Sequence, residues 1–212
     1  MAYLAAALRN GLYAGLVSVT IACNNYGLLD KLENPGGSPS GSIPNCGENC
    51  RIFLTDVGYP GNLGGSQGAD SICRNDSANP NGPGTGNWKA MLADENRRAC
   101  LTANCTSTAE NFNWVMRPNT PYRRPTGELI GITNPGGIFV FNVVSAISGI
   151  DAGAWTAIAG DWTNAEYNCQ NWSDSSDTYV GTYGFANAPD ATMLQYGDND
   201  CAFSRRLYCV EQ

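Results

Sequence analysis

Nine cysteines, with no Cys-x-x-Cys pair among them, constrain this chain more than any other feature. They stand at positions 23, 46, 50, 73, 100, 105, 169, 201 and 209. A zinc site would want paired thiolates at close spacing, with histidines to complete it. The sequence has neither, since its histidine count is zero. The reading that remains is a disulfide framework made in an oxidising compartment. Nine is an odd number, so one cysteine is left over.

The absence of histidine also removes the Ser-His-Asp triad and the Cys-His dyad from consideration. Proton transfer near neutral pH would fall to carboxylates or to a perturbed Lys or Tyr. No two carboxylates announce themselves as a glycosidase pair, and the chain reads as a binding protein rather than an enzyme. Lys plus Arg total 12 against 19 Asp plus Glu, a net charge of −7. Such a chain repels phosphate backbones, which argues against nucleic acid. With 25 glycines, 11 prolines and only 15% charged residues, it should hold many turns and few long amphipathic helices.

Residues 1–22 carry one charge, Arg9, followed by the apolar run "NGLYAGLVSVTIA" and then Cys23. The run is too short for a membrane-spanning helix and has the size of a signal-peptide core. Thr20-Ile21-Ala22 before Cys23 resembles a bacterial lipobox, with Thr20 where Leu is usual. Cys23 is therefore expected to carry lipid, which leaves eight cysteines to pair. Residues 1–22 read as a lipoprotein signal peptide. Residues 23–45, with the Gly/Ser/Pro run from Pro35 to Pro44, read as the lipidated cysteine and a flexible tether. Residues 46–212 read as the folded domain, displayed on the cell surface, in the manner of a bacterial outer-membrane lipoprotein.

Within the domain, "RIFLTD" (51–56) alternates and is rich in strand formers. "GYPGNLGG" (58–65) is turn chemistry, and "SQGADSICRND" (66–76) is the best helix candidate. "NWKAMLAD" (87–94) reads as a strand or short turn, while "AWTAIAG" (154–160) and "SRRLYCVEQ" (204–212) read as strands. The apolar, β-branched "GGIFVFNVVSAIS" (136–148) predicts a buried strand. The class is α+β: short antiparallel strands, one or two short helices, much loop and disulfide staples.

Taken together, "GADSIC", "GNWKAML", "AWTAIAGDW", "YNCQNW", "DNDC" and "LYCVEQ" resemble a C-type lectin-like domain. The nearer likeness is to its endostatin-like branch and to a family of spirochaetal lipoproteins of unassigned function. The resemblance covers roughly residues 50–212. It implies a pair between Cys73 on the helix and Cys209 in the last strand, and a second between Cys169 and Cys201. Cys46 with Cys50, and Cys100 with Cys105, would then pair locally. In sugar-binding members an Asn-Asp pair before the third paired cysteine holds calcium, so Asn199 and Asp200 are the positions to examine. The Glu-Pro-Asn partner motif is missing here, and the zinc site of endostatin-like domains needs histidines that this chain lacks.

From Pro125 to Ser204 there is no Lys or Arg, and eight carboxylates lie between residues 151 and 200. Aromatics crowd the same region, with Trp155 and Trp172 expected in the core. The stretch 173–200 has small residues interspersed with tyrosines, a composition suited to a recognition loop. Tyr179, Tyr183, Tyr196, Asp198, Asn199 and Asp200 are its candidate ligand contacts, with calcium as the candidate cofactor. The expected role is recognition of an extracellular protein or glycan, as in an adhesin. The alternative is a self-associating subunit of the cell envelope. The membrane is reached only through the lipid anchor.

Overall fold

The computed structural model describes residues 46–47 and 49–212. Cys23, the signal peptide and the tether lie outside the described residues. The described part is α+β, mostly short strands. In chain order it runs β1 (Cys50–Leu54), α1 (Gly65–Asn75), β2 (Trp88–Ala90), β3 (Pro121–Arg123), β4 (Leu129–Ile132), β5 (Gly153–Trp155), a single turn α2 (Cys169–Trp172), β6 (Val180–Phe185), β7 (Gly197–Asp200) and β8 (Tyr208–Glu211). Short 3₁₀ turns lie at Thr108–Glu110 and Ala191–Met193.

Five strands form one sheet in the order β2-β8-β1-β3-β4. The contact of β1 with β3 is parallel and the others are antiparallel. β1 and β8 are interior strands, and both of their faces are buried. Ile52, Leu54, Tyr208 and Val210 point into one apolar cluster with Met91, Tyr122, Phe139 and Trp162. Phe53, Leu207 and Cys209 point into another with Leu63, Ala69, Cys73, Trp88, Trp155 and Trp172. A strand covered on both sides reads as a nearly continuous apolar run, which is what "RIFL" and "LYCV" are.

Helix α1 lies against β2. Asp70 joins them: its carboxylate accepts the Ala90 N–H at 2.8 Å. It also takes a two-pronged contact from Arg97, at 2.8 and 2.7 Å. The Arg97 side chain is only 1% exposed, and its Nη1 also donates to the Ala90 carbonyl at 2.8 Å. A guanidinium this deep is tolerable only when its charge is matched in place.

Four disulfides close the structure: Cys46–Cys50, Cys73–Cys209, Cys100–Cys105 and Cys169–Cys201. Cys73–Cys209 and Cys169–Cys201 are the pairs that the resemblance implies, and the other four cysteines pair locally. The loops are tied to the core by indole donors as well. Trp114, Trp155, Trp162 and Trp172 donate Nε1–H to the carbonyls of Gly137, Tyr59, Phe139 and Ala93, at 2.8, 2.9, 3.0 and 2.9 Å.

Two expectations are corrected. Residues 136–148 do not form a strand. Ile138, Phe139, Val143 and Ile147 are buried, but Val140 and Val144 between them are exposed. The spacing of the buried positions is not two, and the Asn134 side chain bends the chain at the start by accepting from Gly136 N and Ile138 N, at 2.8 and 3.3 Å. Apolar content was present without the period that a strand needs. The second correction concerns residues 173–200, which are not one long loop. They contain β6 and β7, which with β5 make a three-stranded sheet in the order β5-β6-β7.

Candidate functional site: an aromatic face on the small sheet

In β6 the side chains alternate between the two faces of the sheet. Thr182 and Gly184 are buried. Gly184 lies so close to the Met193 carbonyl that a Cβ there would overlap it. This is why a glycine interrupts the strand and gives the sequence its turn-like look. Tyr183 and Phe185 take the other face and are half-buried. Tyr196, just before β7, completes a cluster of three rings. The centroids are 4.3 Å apart for Phe185–Tyr196, 5.9 Å for Tyr183–Phe185 and 6.0 Å for Tyr183–Tyr196.

Over this cluster lies Arg205, its guanidinium 4.2 Å from the Tyr183 centroid and 5.9 Å from that of Phe203. Cation–ring contacts at such distances contribute about 0.5–2 kcal/mol, depending on desolvation. The arm of Arg205 passes over Gly153 of β5. A Cβ at 153 would meet Arg205 Cδ at 2.8 Å and Tyr183 Cδ2 at 3.0 Å, so only glycine leaves the passage open. Arg205 Nη2 donates to Asn199 Oδ1 at 2.6 Å, while its buried Nε has no partner among the described residues. Beside the rings opens a pocket of about 330 Å³, with Asp151, Phe185, Ser204, Arg205 and Arg206 in its wall. Tyr196 is 58% exposed and Phe203 50%. A rigid, half-desolvated arrangement of rings around one arginine is suited to burying an apolar surface against a partner.

The structure divides the residues singled out from sequence. Tyr183 and Tyr196 come together. Tyr179 does not join them; with Glu166, Tyr167 and Thr178 it lines a separate pocket of about 250 Å³. Asp198 is engaged across the sheet, accepting from the Thr182 hydroxyl at 2.6 Å. Asn199 and Asp200 are consecutive residues of β7, and the Asn199 side-chain oxygen is taken by a cation, Arg205. No group of three or more His, Cys, Asp or Glu side chains able to hold a metal occurs among the described residues.

Other carboxylates of the acidic stretch serve their own turns. Asp174 accepts from the Ser176 hydroxyl and N–H, and Asp190 from those of Thr192, which holds both carboxyls below the usual carboxylate range. Asp161 is lowered in the same way by Thr163. The arginine-bearing segment is also in structural use. Arg97 is buried, Arg98 Nε donates to the Glu110 carbonyl at 3.2 Å, and Arg124 pairs with Glu128 at 2.6 Å.

Phe203, Arg205 and Gly153 were missed in the sequence. The signal for the first two was "AFSRR" directly after Cys201, ending an 80-residue stretch from 125 to 204 without a basic side chain. Gly153 offered none, because its role exists only once β5 pairs with β6. No curated protein matches the chain. A family model described as "Protein of unknown function (DUF1554)" matches residues 56–189, from the end of β1 to just beyond β6, and the chain belongs to that family.

Proposed function

We propose that the protein is a surface-displayed lipoprotein, anchored through lipid on Cys23, whose C-type lectin-like domain binds an extracellular protein or glycan as an adhesin does. The observation that carries this reading is the aromatic face: Tyr183, Phe185, Tyr196 and Phe203 gathered around Arg205. The lectin-like reading of the fold draws on the bridge between a helix cysteine and a last-strand cysteine, and on the second bridge that pins the segment before that strand. The backbone of Cys46 donates to the Gln212 carbonyl at 3.0 Å, which brings the two ends of the domain side by side. The outer-membrane placement rests on the Ala22-Cys23 lipobox alone. No helix among the described residues is long and apolar enough to cross a membrane.

The test compares the full chain with Tyr196→Ala/Phe203→Ala in pull-downs from solubilised extracellular matrix. Both side chains are largely exposed, so the melting temperature should hold while retention is lost. Equal retention by wild type and the double variant would refute the assignment of this face. Metabolic fatty-acid labelling that marks Cys23→Ala as strongly as wild type would refute the anchor.

A second reading, self-association at the envelope, draws on the exposed Ile132, Val140 and Val144. They lie close together, since Thr133 pairs with Phe139 and Val144 N donates to the Ile130 carbonyl at 2.8 Å. Sedimentation across a concentration series decides it: a monomer throughout excludes this reading.

A further inference from the structure

Three ion pairs occur among the described residues: Arg51–Glu211, Arg97–Asp70 and Arg124–Glu128. Arg205 and Arg206 belong to none of them, although the chain has 19 Asp plus Glu and a net charge of −7. Both line the pocket of about 330 Å³ beside the ring cluster, together with Asp151, Phe185 and Ser204. We infer that this pocket receives one carboxylate, from an Asp or Glu side chain in an extended segment of a protein partner, while an apolar residue next to it lies on the exposed rings of Tyr196 and Phe203. The inference rests on the reading of the aromatic face as the face that meets a partner, and it selects a protein over a glycan.

The first argument is the supply of donors. A guanidinium carries five N–H groups and no acceptor. Arg206 commits Nη1 to the Thr55 carbonyl, and Arg205 commits Nη2 to Asn199 Oδ1 at 2.6 Å. Among the described residues no other hydrogen bond uses either guanidinium, and Arg205 Nε is buried without a partner. The Ser204 hydroxyl is uncommitted in the same sense. A positive charge partly withdrawn from water and left unmatched favours a counter-anion. The forked donors of an arginine fit the two oxygens of a carboxylate in particular.

The second argument is that the two arginines are held in place from within. The backbone of Arg205 exchanges hydrogen bonds with that of Tyr59, at 2.7 and 3.0 Å. Arg206 N donates to the Gly153 carbonyl and its own carbonyl accepts from Trp155 N, each at 3.0 Å. Their backbones are thus pinned between the segment at Tyr59 and strand β5. The side chain of Arg205 is fixed further by the Tyr183 ring beneath it and by Asn199, and that of Arg206 by the Thr55 carbonyl. Donors already in position bind without much of the ordering cost that a free surface arginine carries.

The third argument is the balance of charge and apolar surface. Asp151 in the wall is exposed, and among the described residues its carboxylate accepts only from Asn187 Nδ2, at 3.5 Å. Two guanidiniums and one carboxylate leave the pocket a single positive charge. That suits one carboxylate, whereas each further charge of a polyanion would meet Asp151 and the acidic remainder of the protein. Phe185 is in the pocket wall and its ring centroid is 4.3 Å from that of the exposed Tyr196, so apolar surface runs from the pocket to the outer rings. A free phosphate or sulfate would leave that surface uncovered. A peptide with an acidic residue beside an apolar one covers both parts.

The experiment screens the full chain against a library of short synthetic peptides, acetylated and amidated at their ends so that side chains carry the only carboxylates. Retained sequences should place Asp or Glu beside an apolar residue, and changing that acid to its amide should weaken the best peptide by about tenfold or more. Arg206→Gln should do the same, and Tyr196→Ala/Phe203→Ala should also weaken it. Because Arg206 serves the Thr55 carbonyl as well, two exposed positions give a check that leaves the fold alone. Ser204→Asp should weaken binding and Asp151→Asn should strengthen it, with the melting temperature unchanged; a purely structural role would not produce opposite signs. Absence of any retained peptide, or retention with no preference for an acidic residue, overturns the inference. So does an acidic peptide that ignores Ser204→Asp and Asp151→Asn, or one that ignores Tyr196→Ala/Phe203→Ala. Heparin fragments bound through Arg206 where no peptide binds would overturn it in favour of a glycan. Peptides held by the rings alone, surviving Arg206→Gln and Ser204→Asp but lost in Tyr196→Ala/Phe203→Ala, would keep the aromatic face as a binding face and overturn only the carboxylate pocket.

Discussion

Removing the Cys73–Cys209 bridge should cost far more stability than removing either local one. The bridge joins residues 136 apart and fastens α1 to β8 through the middle of the core. In the chain-entropy picture, a cross-link stabilises by narrowing the unfolded ensemble, and the effect grows with the logarithm of the loop. The Cys169–Cys201 bridge lies inside this loop and shortens it by its own separation of 32. The effective loop is then near 104 residues, for which the model gives about 4.7 kcal/mol. Cys46–Cys50 and Cys100–Cys105 have separations of 4 and 5, for which the same expression gives about 2 kcal/mol each. Both sulfurs of the long bridge are fully buried, so Cys→Ala at each end adds a packing loss of about 1 kcal/mol. Cys73→Ala/Cys209→Ala should therefore lose about 5–7 kcal/mol, most of the stability of an ordinary domain. Cys46→Ala/Cys50→Ala should lose about a third of that. Urea unfolding followed by tryptophan fluorescence measures both, since four tryptophans are fully or almost fully buried. Equal losses for the long and the local pair would refute the reasoning, because loop length would then not be what the long bridge acts through.

Three further outcomes follow from named contacts. Asp70→Asn leaves the Arg97 guanidinium buried without its counter-charge and should destabilise by about 3–5 kcal/mol; a urea midpoint within error of wild type would contradict this. Burial pushes the Tyr122 hydroxyl up to about 12 and that of Tyr208 higher still. An unfolded tyrosine titrates near 10, so the stability of keeping these rings neutral is whole below about pH 10 and falls by about 1.4 kcal/mol per pH unit for each ring as pH rises toward 12. Denaturation at pH 9 and pH 11 should show the loss, and Tyr208→Phe should reduce it; an equal pH dependence in the variant would count against the assignment. Gly184→Ala places a methyl group against the Met193 carbonyl and should separate β6 from the Ala191–Met193 turn, which amide exchange across 180–185 would report as lost protection.

What could be read from the sequence follows from how local each signal is. β1 and β8 were legible from their strand-forming residues, although β1 read as alternating and the structure buries both of its faces; α1 was legible only as the best helix candidate between two turn-rich stretches. The cysteines marked their own framework once a family pattern was in view. β6 was hidden: "VGTYGF" carries two glycines, and Gly184 is there because a carbonyl from another segment leaves no room for more. Tyr183 and Tyr196 were legible as aromatics of a small-residue segment. Their partnership with Arg205 was not, because it depends on Gly153, thirty residues before Tyr183 and on a different strand.

These same long-range ties explain how a domain with so little regular structure can hold its aromatic face still. β6 and β7 are short, and most of the chain around them is irregular. Yet Cys169–Cys201 fixes the segment at both ends, and the indoles of Trp155 and Trp172, in the same apolar cluster, donate into the segments at Tyr59 and Ala93. Tyr183 is then held between the paired Trp155 of β5 and the paired Gly197 of β7, with Arg205 across its ring. Ordering such groups at the moment of binding costs about 0.5–1.5 kcal/mol for each flexible side chain. Here the disulfide, the indole donors and the stacked arginine have ordered Tyr183 and Phe185 during folding, while the side chains of Tyr196 and Phe203 remain open to solvent. The rings that carry the geometry are thereby separated from the rings that a partner would meet. If this face binds, substitutions at 196 and 203 should change what is bound without disturbing the core, whereas substitutions at 153, 183 or 205 alter the platform itself.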